Sequence, residues 1–242
     1  MQWGSHEERA IWDREYREGH FIPSTLRRIP SKALALYEGI VDFSALSPAL
    51  DAGCGNGRNA VYLAGKGCDV TAADYSEVAL DLVKERACES GVSARVHTLP
   101  VTLSGRWPFQ DGQFRFVLDS YVSCHILDLQ ERENYRSELC RVLETGGLLY
   151  TAVFCTDDRY YCELAGGTAA NGTVVLDPHN GVKKYLFSED YFRNFFSEVL
   201  SVRYFTKFQF DDTVLGRVYR RSVLTLLAER ASDGGRERKT GG

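Results

Sequence analysis

The 242-residue chain has no apolar run of about 18 residues, so no membrane span and no membrane partner are predicted. Its first 19 residues are mostly polar and charged, and they lack the apolar core of a signal peptide. The seven cysteines are scattered and form no C-x-x-C pair, which disfavours a disulfide framework and predicts no metal site. Together these absences favour a cytoplasmic protein.

The chain also lacks a strong imbalance of charge. It has 29 Lys and Arg against 33 Asp and Glu, a formal net charge of −4. No basic stripe is present, so a nucleic-acid partner is not expected. A content of 44% hydrophobic and 26% charged residues is ordinary for a soluble globular protein. This length can bury a full core within one domain.

The most informative stretch is residues 50–59, which read Leu-Asp-Ala-Gly-Cys-Gly-Asn-Gly-Arg-Asn. It begins as the apolar end of a strand and ends inside an amphipathic helix predicted over 58–66. Three alternate glycines between them permit a sharp turn and close approach of a ligand, next to the unpaired amides of a helix start. Arg58 stands where the dinucleotide fingerprint needs its third glycine. Asp51 suits a ligand that carries positive charge.

A second predicted strand, residues 68–73, delivers Asp74 at its carboxyl end, 21 residues after Gly53. This is close to the separation at which an acid binds ribose hydroxyls in nucleotide-binding βαβ units. A carboxylate can accept hydrogen bonds from both hydroxyls. Ser76 then predicts the N-cap of a helix that runs to about residue 89.

Two motifs carry a resemblance to a known family. Asp-x-Gly-x-Gly-x-Gly at 51–57 resembles motif I of the class I S-adenosylmethionine-dependent methyltransferases, and Arg-Val-Leu-Glu-Thr-Gly-Gly at 141–147 resembles a structural segment of the same family. Trp-Asp-x-x-Tyr-x-x-Gly at 12–19 resembles the leading segment of the small-molecule members, such as the thiopurine, halide/thiol and tellurite-resistance methyltransferases. That segment either folds over cofactor and substrate or only caps the sheet.

The resemblance covers about residues 12–228 and implies the fold class. We expect a Rossmann-like, doubly wound α/β protein with a seven-stranded sheet, mostly parallel with an antiparallel last strand, and N-terminal capping helices. Residues 1–46 are predicted to form the helical cap or lid, 47–230 the methyltransferase domain, and 231–242 a disordered tail. Within the cap a helix is predicted over about 31–41, with Ala33, Leu36, Tyr37 and Ile40 on its apolar stripe. Residues 155–182 are predicted to be a long loop.

The resemblance implies S-adenosylmethionine as cofactor and S-adenosylhomocysteine as product. The implied cofactor-binding residues are Asp51, Gly53, Cys54, Gly55, Asn56, Gly57, Asp74, Tyr75, Thr102, Asp119, Ser120 and Tyr121. Two departures from the family pattern stand out. No acid follows the third strand, which leaves adenine to backbone groups, Thr102 or apolar packing. Arg115 replaces a usual Asp, and nothing in the sequence explains that change.

The expected partner is a small-molecule substrate, anionic or aromatic, and the protein is expected to be a monomer or homodimer. The predicted substrate-binding residues are Trp12, Tyr16, His20, Tyr160, Tyr161 and Arg159. Arginine binds carboxylates in a bidentate manner, although solvated surface charge is the ordinary role of such a residue. The tyrosines either wall an aromatic pocket or serve as packing residues.

His125 follows the predicted fourth strand, at the edge where open α/β sheets place their chemistry. Its ordinary pKa near neutrality makes it the candidate general base. The alternative is that it fixes the loop or packs under the cofactor.

The predicted function is methyl transfer to an O, N or S atom of a metabolite by in-line displacement. The alternative is a methyltransferase-like protein that binds the cofactor without methyl transfer, and the two departures motivate it. An RNA or protein methyltransferase lacks support, since no basic stripe or recognition domain is present.

Overall fold

A computed structural model describes residues 4–19 and 21–231 of the chain. In chain order its strands are β1 (Ala49–Ala52), β2 (Val70–Asp74), β3 (Val96–Pro100), β4 (Phe114–Ser120), β5 (Leu143–Phe154), β6 (Val174–Leu176), β7 (Lys183–Tyr185), β8 (Ser201–Val214) and β9 (Arg217–Glu229). Seven of them form one sheet in the order β3-β2-β1-β4-β5-β9-β8. Strand β9 runs antiparallel to both of its neighbours, while β1 to β5 pair in parallel. The predicted mostly parallel sheet with an antiparallel last strand is confirmed.

Helices cover both faces of this sheet. In chain order they are α1 (His6–Glu18), α2 (Pro23–Leu26), α3 (Lys32–Ala35), α4 (Arg58–Gly65), α5 (Glu77–Glu89), α6 (Leu129–Val142), α7 (Arg159–Leu164) and α8 (Glu189–Ser197). The apolar sides of α6 and α8 pack in one core cluster, and those of α3, α4 and α5 pack in another. The fold is therefore doubly wound, as predicted.

The central strands show why both faces must be covered. In β4 the side chain of Val117 belongs to one core cluster, and those of Phe116 and Leu118 belong to the other. Successive strand residues point to opposite faces, so a continuous apolar run needs an apolar layer on each side. Burial of each such side chain contributes about 1.5–3 kcal/mol.

Two local predictions were wrong. Residues 155–182 are not a plain loop, because they contain α7 and β6, which pairs with β7 in a separate two-stranded sheet. Three-residue strands and a six-residue helix are too short to show periodicity. The helix predicted over 31–41 is only α3 followed by a 3₁₀ turn. There Leu36 and Ile40, placed on its apolar stripe, are half exposed.

The N-terminal segment lies over the carboxyl edge of the sheet. Asn56 in the glycine turn donates hydrogen bonds from Nδ2 to the backbone oxygens of Thr25 (2.8 Å) and Arg27 (3.2 Å). The Ser31 amide donates to Asn59 Oδ1 at 2.9 Å. These bonds join the segment after α1 to the glycine turn and to the first turn of α4.

The predicted domain limits remain predictions, and residues 232–242 of the expected tail lie outside the described part. Within the described residues, no helix has both the length and the apolar character to cross a membrane.

Candidate cofactor and substrate site

One large cavity opens at the carboxyl ends of β1, β2 and β4. Its walls come from several parts of the chain: α1 and α2, the glycine turn, the end of β2, the segment after β3, the loop after β4, the end of β5, the segment from α7 to β7, and the β8–β9 hairpin. This is where open α/β sheets place their ligands, since the connecting loops diverge at that edge.

The glycine turn packs tightly between the loop after β4 and helix α1. Gly53 has a φ of +68°, and a Cβ there would lie 2.4 Å from Val122 Cγ2. Gly55 has a φ of +53°, and its Cβ would lie 2.7 Å from the hydroxyl of Tyr16. Only glycine fits such left-handed positions without strain. Both glycines line the cavity together with Cys54 and Asn56, whereas Gly57 does not.

Asp74 stands at the end of β2 with its carboxylate against the turn. Its Oδ2 accepts from the Gly55 amide at 2.9 Å, and its Oδ1 accepts from the Ser76 amide at 2.9 Å. Burial raises the pKa of Asp74, and the two amides oppose that rise. Asp74 also lines the cavity. Each carboxylate oxygen keeps a second acceptor position for a ligand hydroxyl.

Asp51 and Arg58 lie at opposite ends of the same turn. Asp51 is buried behind the cavity wall, and its Oδ2 has no hydrogen-bond partner among the described residues. Burial and the nearby Asp74 charge raise the pKa of Asp51 to about 7. The Arg58 side chain lines the cavity and makes no hydrogen bond or ion pair within the described part. A buried acid with one unpaired oxygen at one end of the turn and a cation without an ion pair at the other suit a zwitterionic ligand.

Asp119 does not line the cavity, and groups of the protein itself engage both of its carboxylate oxygens. Its Oδ1 accepts from the Val122 amide at 2.9 Å, and its Oδ2 accepts from Thr151 Oγ1 at 3.0 Å and from the Ser123 hydroxyl. These bonds fix the loop after β4. The loop presents Ser120 and Tyr121 to the cavity, with Tyr121 held at a φ of +72°. A bulky residue in that conformation is strained.

The region beyond β3 is apolar. Val101, Leu103 and Tyr75 line the cavity, whereas Thr102 does not. Thr102 instead accepts a long hydrogen bond from Arg9 of α1, at 3.5 Å. Of the groups proposed for adenine from the sequence, this arrangement offers apolar packing, whereas the Thr102 side chain lies outside the cavity.

His125 reaches the cavity from the loop after β4. Its ring meets that of Trp12 edge to face, with 5.2 Å between centroids. Burial and the positive charge of Lys184 lower the pKa of His125 to about 3, although a hydrogen bond with the backbone of Lys183 opposes the shift. Its Nδ1 has no partner among the described residues. The imidazole is therefore neutral near pH 7.

The predicted substrate residues are only partly brought together. Trp12, Tyr16, Tyr160 and Tyr161 line the cavity. Arg159 is exposed and lies outside it, because it is the first residue of α7 and that helix buries its tyrosines instead. His20 falls outside the described residues.

The cavity also contains charged residues that the sequence did not single out as ligands. Arg221 of β9 lines it with the buried Lys184, and they are joined by Arg27, Asp177, Asn180 and Asp212. In β9 the run Arg217-Val-Tyr-Arg-Arg does not indicate which arginine turns inward.

Part of the chain matches a known family. Residues 49–147 match the family model described as a methyltransferase domain. The chain is similar to 2-heptyl-1-hydroxyquinolin-4(1H)-one methyltransferase of Mycobacteroides abscessus, with 31% identity over 105 residues, 43% of this chain and 45% of that protein. It is also similar to methyltransferase GfsG of Streptomyces halstedii, with 33% identity over 118 residues, 48% and 41% of the two chains. The chain thus spans less than half the length of these curated relatives.

Solved structures share the fold over most of the chain. A SAM-dependent methyltransferase from Methanosarcina mazei superimposes with a TM-score of 0.66 at 20% identity, covering 84% of this chain and 99% of that one. The Burkholderia thailandensis 1,6-didemethyltoxoflavin-N1-methyltransferase, solved with 1,6-didemethyltoxoflavin and S-adenosylhomocysteine bound, gives 0.64 at 18% identity, covering 94% and 90%. The family match includes the glycine turn, Asp74 and His125, but it ends before Lys184 and Arg221.

Proposed function

We propose that this chain is a class I S-adenosylmethionine-dependent methyltransferase and that it transfers a methyl group from S-adenosylmethionine to an O, N or S atom of a small molecule. The observation that carries the proposal is the Asp74 carboxylate set against the glycine turn, with the unsatisfied Asp51 and Arg58 at either end of that turn. The reaction is assigned to the cytoplasm, where seven free cysteines stay reduced. The active species is a monomer or homodimer.

These residues suit the parts of the cofactor in turn. Asp74 would accept from the ribose hydroxyls, and Val101 and Leu103 would pack on adenine. Arg58 would bind the carboxylate of the methionine end. The ammonium group of the same end would favour the ionised form of Asp51 and be stabilised by its negative charge. The match of a polar or charged group to each polar part of the ligand supports S-adenosylmethionine over a dinucleotide.

When bound, S-adenosylmethionine supplies a methyl group on a sulfonium, so that an acceptor lone pair forms the new bond while the carbon–sulfur pair stays on sulfur in S-adenosylhomocysteine. The chain then has to align two molecules and keep water away. The cap residues Trp12 and Tyr16, stacked with 5.8 Å between ring centroids, cover the glycine turn. Alignment of this kind corresponds to effective molarities of about 10⁵–10⁸ M.

The walls beyond the turn favour a flat acceptor. Tyr121 and Phe154 stack at 4.8 Å between centroids, and Tyr161 meets Phe154 edge to face at 4.8 Å. Such surfaces bind planar rings well. The hydroxyquinolinone in the name of the M. abscessus relative and the didemethyltoxoflavin bound in the B. thailandensis structure support a small-molecule acceptor.

His125 is better suited to orient the acceptor than to deprotonate it. An imidazole whose pKa is about 3 is a weak proton acceptor at neutral pH. Its unpartnered Nδ1 can still accept a hydrogen bond from an acceptor hydroxyl or amine. We therefore propose His125 as a group that positions the substrate.

The role of Arg58 predicts a difference between two ligands. Arg58→Met is expected to weaken binding of S-adenosylhomocysteine by about ten- to a hundredfold, because charge-assisted hydrogen bonds are worth about 1.5–3 kcal/mol. Methylthioadenosine, which lacks the amino-acid end, should bind the variant and the wild type equally. Calorimetric titration of both ligands measures this. An equal loss for the two ligands would show that Arg58 acts through the turn and not on the carboxylate.

The state of His125 predicts the absence of a titration. In NMR spectra of histidine-labelled protein, its ring signals, assigned with His125→Gln, should stay constant from pH 8 down to about 5, because the pKa is about 3. Because His125 has a lowered pKa in the folded protein, the unfolded chain takes up the proton first. The free energy of unfolding should therefore decrease as pH falls from 6.5 towards 3. A titration near pH 6.5 would restore the general-base role.

Transfer itself is tested with methyl-labelled S-adenosylmethionine and a bacterial metabolite extract. Mass spectrometry should find a labelled small molecule with wild type, and much less of it with Asp74→Ala at the same low concentration of S-adenosylmethionine. S-adenosylhomocysteine binding without any labelled product across many extracts would favour the alternative of a cofactor-binding protein that does not transfer methyl groups.

A further inference from the structure

The end of the cavity formed by α7, β7 and β9 holds two buried cations. Lys184 of β7 is 5% exposed and Arg221 of β9 is 6% exposed, and both line the cavity. Buried cations are rare without paired anions, because desolvation of a charge is costly. What each of them contacts therefore decides what this end can bind.

Arg221 is fixed in place but not satisfied. Its Nε donates to both oxygens of Asp158, at 2.8 and 3.1 Å, and the same carboxylate accepts from the amides of Ser222 and Tyr161. Its guanidinium carbon lies 5.1 Å from the ring centroids of Phe154 and Tyr161. The Nη2 atom is buried and has no partner among the described residues. One donor of a rigidly held arginine is thus left over.

Lys184 has even less compensation. Across the described residues it forms no ion pair, and its ammonium contacts the ring of Tyr161 at 5.4 Å from the centroid. The nearby Asp177 is already engaged, since its Oδ2 accepts from the hydroxyl of Tyr160 at 2.9 Å and its Oδ1 from the amide of His179 at 3.0 Å. Burial and the charge of Arg221 lower the pKa of Lys184. The ammonium is destabilised until an anion arrives.

From this geometry we infer that the acceptor is an aromatic anion, whose carboxylate binds between Lys184 and Arg221 while its ring lies on Tyr161 and Phe154. The inference rests on the proposed function and names its substrate class. Arginine and lysine both bind anionic oxygens strongly in a water-poor cavity. The same anion would favour the charged form of Lys184.

The inference is tested with two probes of the same shape, the anionic 1-hydroxy-2-naphthoate and its neutral amide 1-hydroxy-2-naphthamide, titrated into protein saturated with S-adenosylhomocysteine. Wild type should bind the carboxylate about ten- to a hundredfold more tightly than the amide. Lys184→Met should abolish most of that preference. Lys183→Met is the matched control, because Lys183 is the adjacent residue of β7 and is exposed, and it should keep the preference.

Methionine fills the volume of the lysine stem and needs no polar partner, so Lys184→Met should fold and bind S-adenosylhomocysteine as wild type does. Equal binding of the two probes by wild type, or no binding of either at about 1 mM, would overturn the inference. So would a Lys184→Met protein that keeps the preference, or one that loses S-adenosylhomocysteine, since Lys184 would then serve the cofactor. Failure of wild type to bind S-adenosylhomocysteine would instead overturn the proposed function.

Discussion

Asp74→Ala is expected to weaken the binding of S-adenosylhomocysteine by about ten- to more than a hundredfold, because a carboxylate that accepts from both ribose hydroxyls contributes about 1.5–3 kcal/mol. The variant should also lose stability. In the wild type the carboxylate satisfies the amides of Gly55 and Ser76, and each amide left without an acceptor in a buried site costs about 1–3 kcal/mol. Asp74→Asn should be milder in both respects, since its amide oxygen still accepts.

Asp69→Ala is the matched control, because Asp69 is an exposed acid just before the opposite end of β2. It should bind S-adenosylhomocysteine with wild-type affinity in calorimetric titration. If Asp74→Ala folds and binds as tightly as this control, the ribose does not lie at Asp74, and the placement of the cofactor at the glycine turn is wrong.

Asp51→Asn is expected to change the pH dependence of stability. The pKa of Asp51 is raised from 3.8 to about 7, so the stability that this neutral acid contributes is complete below pH 3.8 and is lost as pH rises through 7. A difference of about three units between the folded and unfolded pKa corresponds to a total loss of about 4 kcal/mol in the free energy of unfolding. Asparagine is neutral throughout, so the stability of the variant relative to wild type should be about 2–3 kcal/mol greater at pH 8 than at pH 5.

Thermal unfolding of both proteins from pH 5 to 8 measures this difference, and His125 cancels because both proteins carry it. A chain of this length shifts its Tm by about 2–4 °C per kcal/mol. S-adenosylhomocysteine should shrink the difference, since its ammonium group favours the ionised acid. A difference that stays constant with pH would mean that Asp51 is already ionised in the ligand-free protein.

The glycine turn and Asp74 could be predicted because their chemistry is local. Spacing along ten residues dictates a strand, a turn and a helix start, and the acid after the next strand must come to the same edge of a parallel sheet. The predicted order of strands and helices followed from long apolar runs. Those features depend on near neighbours in the chain, which a sequence displays directly.

The substrate end could not be predicted in the same way. Arg159 and Arg221 are 62 residues apart, yet both lie next to the tyrosines of α7. Arg159 is exposed on the outside of that helix, and Arg221 is buried on its inner side. Which arginine faces the cavity depends on how the tyrosines of α7 pack against β9. The ion pair between Asp158 and Arg221 fixes Arg221 on the cavity side. Similarly, the position of Asp119 at a strand end predicts a ligand-binding residue. Its carboxylate instead accepts hydrogen bonds from the Val122 amide and the Ser123 hydroxyl of its own loop.

Calorimetric titration of the wild-type protein with S-adenosylhomocysteine tests the central claim most directly, since the glycine turn, Asp74 and Arg58 are all assigned to one ligand. Three charge-assisted contacts and an apolar adenine site predict one site per chain with a dissociation constant at or below the order of 10 µM. No heat of binding with ligand at about 1 mM would contradict the assignment of this cavity to S-adenosylmethionine.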